Sequence, residues 1–220
     1  MPPSLRLGVL TGGGDCPGLN ALIRGLVKRG IYEFGHEFVG LENGYMGLVE
    51  PGLAEPLTVA STRGILHKGG TILGTSNKAN PFAYAVRDAA GAWVERDLSD
   101  VALQRARELG LDGLVAIGGD GTLSIAHRLS QKGLKVVGCP KTIDNDLSGT
   151  DLTFGFDSAR TIVTEAIDRL HSTAESHERV MVVEIMGRNA GFLALDSGIA
   201  GGADVILIPE IPYHLEPILQ

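Results

Sequence analysis

The arrangement that most restricts the fold is an apolar run ending in a cluster rich in glycine or aspartate. It occurs three times. Leu7-Gly-Val-Leu-Thr11 runs into Gly12-Gly-Gly-Asp-Cys-Pro-Gly-Leu-Asn20. Leu114-Val-Ala-Ile117 runs into Gly118-Gly-Asp-Gly-Thr122, and Lys135-Val-Val-Gly138 into Pro140-Lys-Thr-Ile-Asp-Asn-Asp146. Continuous apolar runs, rather than alternating ones, mark strands covered on both faces. Segments of helical period fall between them at Leu19–Tyr32, Val101–Leu109, Thr122–Gln131, Ser158–Thr173 and Ala190–Ile199. Further strands are expected at Glu37–Leu41, Val180–Ile185 and Val205–Ile208. The pattern predicts an α/β protein with Rossmann-like parallel sheets and helices on both faces. In such sheets ligands bind at loops beyond the carboxyl ends of strands, where these clusters sit. Pro81–Asp97 departs from the pattern and reads as a surface hairpin turning at Gly91, with Trp93 packing locally.

Composition narrows the function classes. The 220 residues are 44% hydrophobic and 20% charged, an ordinary globular balance. A net charge of −7 argues against a nucleic-acid binder, although a local cluster of donors can still hold phosphates. No apolar run approaches the roughly 20 residues that cross a bilayer, and Met1-Pro-Pro-Ser4 has no signal-peptide pattern, so a cytoplasmic location is expected without membrane partners. Two cysteines, Cys16 and Cys139, imply no disulfide framework. The histidines show no metal-ligand spacing, and His171 reads as a surface residue.

Each cluster has its own chemistry. In the first, glycines let backbone N–H groups converge on an anion at a helix N-terminus; on its own such a turn requires only positive φ. It is neither a GxGxxG nor a Walker A sequence. In the second, the Asp120 carboxylate lies among glycines that admit phosphates, which makes sense with Mg²⁺ between them. Thr122 can cap the helix or donate to a phosphate. In the third, Asp144 and Asp146 flank an amide. One carboxylate can accept a hydroxyl proton while the other helps hold a metal, and Lys141 can neutralise a transferring group. The bland alternative is a solvated Asx-rich turn.

Taken together, GGGDCPGLN, GGDGT, PKTIDND and Met186-Gly-Arg188, in this order and spacing, resemble the 6-phosphofructokinase family over residues 6 to 212. GGDGT alone is also similar to NAD kinases and lipid kinases. The resemblance implies two lobes with the active site between them, residues 1–150 binding nucleotide and 151–220 forming part of a sugar-phosphate domain. It implies transfer of the ATP γ-phosphate to the 1-hydroxyl of fructose 6-phosphate with Mg²⁺. By motif, Gly14, Asn77, Lys78, Gly119, Asp120, Gly121 and Thr122 would meet the nucleotide, Asp120 also the metal. Asp144 would accept the proton, with Lys141 and Asp146 beside it. Thr142, Ile143, Met186, Gly187, Arg188 and Glu210 would meet the sugar phosphate. Arg179 would reach the sugar phosphate of a neighbouring subunit, implying a homodimer or homotetramer. Tyr45 would pack near the adenine.

The donor is read from two positions. Gly121 leaves room for the α-phosphate of ATP, whereas a second Asp there would favour pyrophosphate. Lys141 resembles the pyrophosphate users, so the pair is similar to a mixed-substrate subgroup, with ATP favoured. Arg24 matches one arginine of a bacterial effector site, and Lys28 replaces the other without its bidentate fork. Family members are about half as long again, and Leu215-Glu-Pro-Ile-Leu-Gln220 reads as the start of a helix. The chain is therefore expected to be the front part of a longer enzyme. The alternatives are a pyrophosphate-dependent enzyme and a nucleotide-binding fragment without turnover.

Overall fold

In the computed structural model, which describes residues 3–218, the first apolar run becomes β1 (Arg6–Thr11), followed by α1 (Leu19–Phe34) and β2 (Glu37–Leu41). Next come α2 (Met46–Val49), β3 (Ala54–Leu57), β4 (Tyr84–Arg87), β5 (Trp93–Arg96) and α3 (Ser99–Glu108). The chain continues through β6 (Gly113–Gly118), α4 (Asp120–Gln131), β7 (Val136–Thr142), β8 (Phe154–Gly155), α5 (Phe156–His177) and α6 (Phe192–Ala200). It divides into two compact units, Met1–Lys141 and Thr142–Gln220.

The first unit carries strands in the order β3-β2-β1-β6-β7. β1 pairs in parallel with β2 (Leu10 opposite Leu41) and with β6 (Val9 opposite Val115), and β6 pairs in parallel with β7. Among these five strands, as far as the described residues go, only β3 runs antiparallel, and its Pro56 suits an edge position because proline offers no ladder donor. Every residue of β6 is buried, as its unbroken apolar sequence requires. Leu10, Leu41, Leu48, Leu114 and Leu129 are fully enclosed in the core, and removal of such a side chain from water contributes about 1.5–3 kcal/mol each. The excursion at 81–97 is a hairpin: β4 pairs antiparallel with β5, and Arg87 lies over the exposed Trp93 ring at 5.1 Å.

The second unit packs α5 against α6 around Phe156, Ala159 and Leu193, with Ile143 and Ile185 against that cluster. Two expected strands are absent here. Val180–Ile185 and Val205–Ile208 hold no ladder, and Val180 and Val182 are 91% and 92% exposed. Among the described residues of this unit the only strand is the two-residue β8. β-branched composition does not make a strand where no neighbour takes up its backbone groups. α5 is longer than its apolar period suggested, and α4 begins two residues earlier than expected, at Asp120.

Candidate active site

In the first unit, four segments far apart in sequence are tied together at the carboxyl ends of β1 and β6. Gly12 N–H donates to the Ile117 carbonyl at 2.9 Å, and Gly13 N–H to Ser76 O at 3.2 Å. Thr75 Oγ1 donates to Gly13 O at 2.5 Å, and Thr11 Oγ1 to Gly74 O at 2.7 Å. Thr122 is 6% exposed and wedged between two turns. A Cβ on Gly12 would lie 2.5 Å from Thr122 Oγ1, and one on Gly118 would lie 2.4 Å from Thr122 Cβ. These approaches demand glycine at both places. The capping role expected of Thr122 is not what the structure shows. Gly119 is the N-cap of α4, with no side-chain cap, and Thr122 lies inside the helix. The first-turn amides therefore keep no internal side-chain acceptor, as anion binding requires.

Lys141, 4% exposed, donates through Nζ to the Gly14 carbonyl. A Cβ on Gly13 would lie 3.6 Å from Lys141 Nζ, 3.8 Å from Thr122 Oγ1 and 4.0 Å from Asn77 Oδ1. The three expected side chains thus surround one backbone position. Burial depresses the Lys141 pKa, and the nearby Cys16 and Asp15 oppose that shift. Burial pushes the Cys16 thiol up to about 11, with Lys141 opposing. Asp120 is exposed, and the described residues give its carboxylate no partner. The described residues hold no cluster of three or more metal-ligating side chains, so this lone carboxylate could supply only one hard oxygen donor to a cation shared with phosphate oxygens. Gly14, Gly121, Asn77 and Lys78 are exposed, and the position a Cβ would take on Gly14 or Gly121 faces open space. Tyr45 is a core residue instead of an adenine neighbour: it is 2% exposed, and its hydroxyl donates to Thr122 O at 2.7 Å. Its ring has no free face for a base.

In the second unit, Asp144 is half-buried and Asp146 exposed. Burial raises the Asp144 carboxyl pKa, and the neighbouring Asp146 charge raises it further. Between them Asn145 takes the left-handed conformation at φ 53°. Its Oδ1 accepts from Thr153 N–H at 3.0 Å, and its Nδ2 donates to Asp151 O at 3.4 Å. Thr153 Oγ1 donates to Thr142 O at 2.8 Å, and Asp144 N–H donates to Thr142 Oγ1 at 3.1 Å. The loop is therefore fixed by an amide and two threonines. Ile143 packs into the Phe156–Leu193 cluster. Met186, Arg188, Arg179 and Glu210 are exposed; Gly187 is buried. His171 is more than a bare surface residue, because its Nε2–H meets Gly201 O at 2.6 Å beyond the end of α6. Sequence reasoning missed Thr11, Thr75, Asn145 and Thr153 as supports. The polar Thr11 ending an apolar run was the one available signal.

Among known proteins, the family model described as Phosphofructokinase matches residues 6–220. The chain is 55% identical over 220 residues to an ATP-dependent 6-phosphofructokinase 2 of Clostridium perfringens, covering 100% of this chain and 60% of that protein. It is 53% identical over 215 residues to a pyrophosphate–fructose 6-phosphate 1-phosphotransferase of Streptomyces coelicolor, covering 97% and 59%. The structure of phosphofructokinase from Saccharomyces cerevisiae aligns with TM-score 0.77 at 37% identity, covering 94% of this chain and 29% of that one. The chain thus spans about 60% of the length of the curated relatives it matches. With a match running from Arg6 to the last residue and the three strand-end clusters inside it, the chain belongs to the phosphofructokinase family.

Proposed function

We propose that the protein containing this chain transfers the terminal phosphoryl group of ATP to the 1-hydroxyl of fructose 6-phosphate. The observation that carries this reading is the convergence of Lys141, Thr122 and Asn77 on Gly13, beside the uncapped start of α4. Gly14, Lys78, Gly119, Asp120 and Gly121 complete a surface for the nucleotide phosphates. Asp120 would hold Mg²⁺, which when bound neutralises phosphate charge. Asp144 accepts the proton of the attacking hydroxyl. A carboxyl whose pKa is raised by burial is a better match to that task than a solvated one. Asp146 sustains that shift, and Lys141 stabilises charge on the transferring group. Thr142, Ile143, Met186, Gly187, Arg188 and Glu210 serve the sugar phosphate, and Arg179 that of a second subunit in a homo-oligomer. Residues 1–150 act as the nucleotide part and 151–220 as part of the sugar part. A cytoplasmic location suits these substrates, and no described helix is long and apolar enough to cross a membrane.

A pyrophosphate-dependent reading is kept alive by Lys141 and by the Streptomyces coelicolor relative. The open space beside Gly121 favours the larger donor. Allosteric control has one physical support, a cavity of about 700 Å³ lined by Arg24, Lys28, Tyr32, Val59, Ala60 and Arg63. Three cations around one cavity suit an anionic effector. The test is turnover of fructose 6-phosphate with Mg²⁺ by the whole protein, comparing ATP with pyrophosphate. ATP-supported turnover is expected, and turnover with pyrophosphate alone would refute the donor assignment.

A further inference from the structure

Asn77 and Lys78 stand on a segment, 75–83, that is neither helix nor strand. It is held instead by turns that lean on one another. Lys78 N–H and Ala79 N–H both donate to Ser76 Oγ at 3.1 Å. Asn80 N–H donates to Lys78 O at 2.9 Å, and Ala83 N–H to Asn80 O at 3.0 Å. Asn80 Oδ1 accepts from Phe82 N–H at 3.0 Å. The near end is tied to the glycine turn through Ser76 O and Thr75 Oγ1, both bonded to Gly13. Midway, Ala79 is buried in the same cluster as Ala126 and Leu129 of α4.

The far end is gripped by the last turn of α4. The Arg128 guanidinium carbon lies 3.6 Å from the centre of the Phe82 ring, and Lys132 Nζ lies 5.9 Å from it. At both distances a cation is attracted to the face of an aromatic ring. Lys132 is itself fixed, donating to Ser99 Oγ and Asp100 Oδ1 at the start of α3, each at 2.7 Å. Leu98 N–H donates to Pro81 O at 2.6 Å, so the base of the β4–β5 hairpin closes beside the ring. Thr122, which the glycine turn approaches, and Arg128 stand about 9 Å apart along the axis of α4. The segment therefore runs beside this helix and is attached toward both of its ends. The proposed reaction gives neither Phe82 nor Arg128 a task.

We infer that Phe82 and Arg128 form a clasp that fixes the 76–82 segment along α4 and so sets where Asn77 and Lys78 meet the phosphates of the nucleotide. The nucleotide half of this inference rests on the proposed function; the clasp does not. Phe82 and Arg128 act through the segment and are positioning residues. With the clasp open, the segment still hangs from Gly13 but samples other positions. Binding the donor must then order it, and that ordering weakens affinity. Lys141 and Asp144 lie outside the segment, so the transfer step itself should change little.

The test uses the whole protein and three substitutions, with amide hydrogen exchange over 76–83 and steady-state kinetics with ATP, Mg²⁺ and fructose 6-phosphate. Phe82→Leu keeps apolar bulk but removes the ring. Arg128→Met, at an exposed position, keeps length but removes the charge, and it serves alone where Phe82→Leu folds poorly. Each should speed exchange at 78–83 and raise KM for ATP by about three- to tenfold. In both, kcat and KM for fructose 6-phosphate should stay within about twofold of the wild type. Phe82→Tyr keeps the ring face and should match the wild type within about twofold throughout. Unchanged exchange in Arg128→Met overturns the clasp. Faster exchange with a wild-type KM for ATP overturns the positioning role. An equal rise in both KM values means a general structural loss and overturns it too. Absence of ATP turnover in the wild type, with the exchange pattern as expected, overturns the proposed function and the nucleotide half together while leaving the clasp standing.

Discussion

β6 and the run Val180–Val183 are built from similar residues and meet opposite fates. β6 reads Gly-Leu-Val-Ala-Ile-Gly and is buried at every position between β1 and β7. Val180 and Val182, by contrast, are almost wholly exposed, and among the described residues no strand pairs with them. The difference lies in the neighbours. A β-branched run becomes a strand when ladders form on its sides, and those ladders come from distant sequence. The same contrast runs through the chemistry. In the first unit the glycine clusters are tied to rigid strand ends. In the second, the acidic loop and the start of α6 depend on local side-chain ties: Thr153 N–H donates to Asn145 Oδ1, and Gly191 N–H to Glu210 Oε1.

Hydrogen exchange should show the largest effect. Amides of β1 and β6 should exchange at least about a thousandfold more slowly than those at 180–185, since core strands open only with the global free energy. Equal protection in the two regions would break the comparison. Next in size is Asp144→Asn. Losing a general base should lower kcat by about 10²–10⁴-fold in the whole protein. A rate within a few-fold of wild type would remove the base from the second unit. Smaller, and confined to the first unit, is Gly118→Ala. The clash with Thr122 should destabilise by about 1–3 kcal/mol in denaturant unfolding. Gly14→Ala, which faces open space, is the neutral control. Similar losses in the two variants would show that the close approach at Thr122 is not what fixes these turns.

Much of the first unit was legible because its signals are local. The unbroken runs became β1 and β6, and the aromatic segment turning at Gly91 became the β4–β5 hairpin. The start of α4 was misread because Thr122 is a good capping residue by type, whereas its methyl and hydroxyl are spent between Gly12 and Gly118. Tyr45 was misread for a related reason: a motif neighbour can be core. The supports of the candidate site were not legible, since Asn145 finds Thr153 and Glu210 finds Gly191 only after folding. Spacing names the reactive groups; it says little about what holds them.

The finest distinction between the units is electrostatic, and Asp144 tests it. Its carboxyl pKa is raised in the fold, first by burial and then by Asp146. The folded protein therefore holds this proton at pH values where the unfolded chain has already lost it. Stability contributed at this position falls as pH rises from the ordinary carboxyl range through the raised value, and is recovered as pH falls. Asn in place of Asp144 carries no charge to desolvate. The Asp144→Asn protein should melt slightly above the wild type at neutral pH, and the gap should close as pH is lowered through that window. A gap that widens on acidification would mean that the carboxylate is stabilised in the fold, with its pKa lowered. The second unit would then offer Asp144 a cationic partner, and its place as the proton acceptor would fall with the shift.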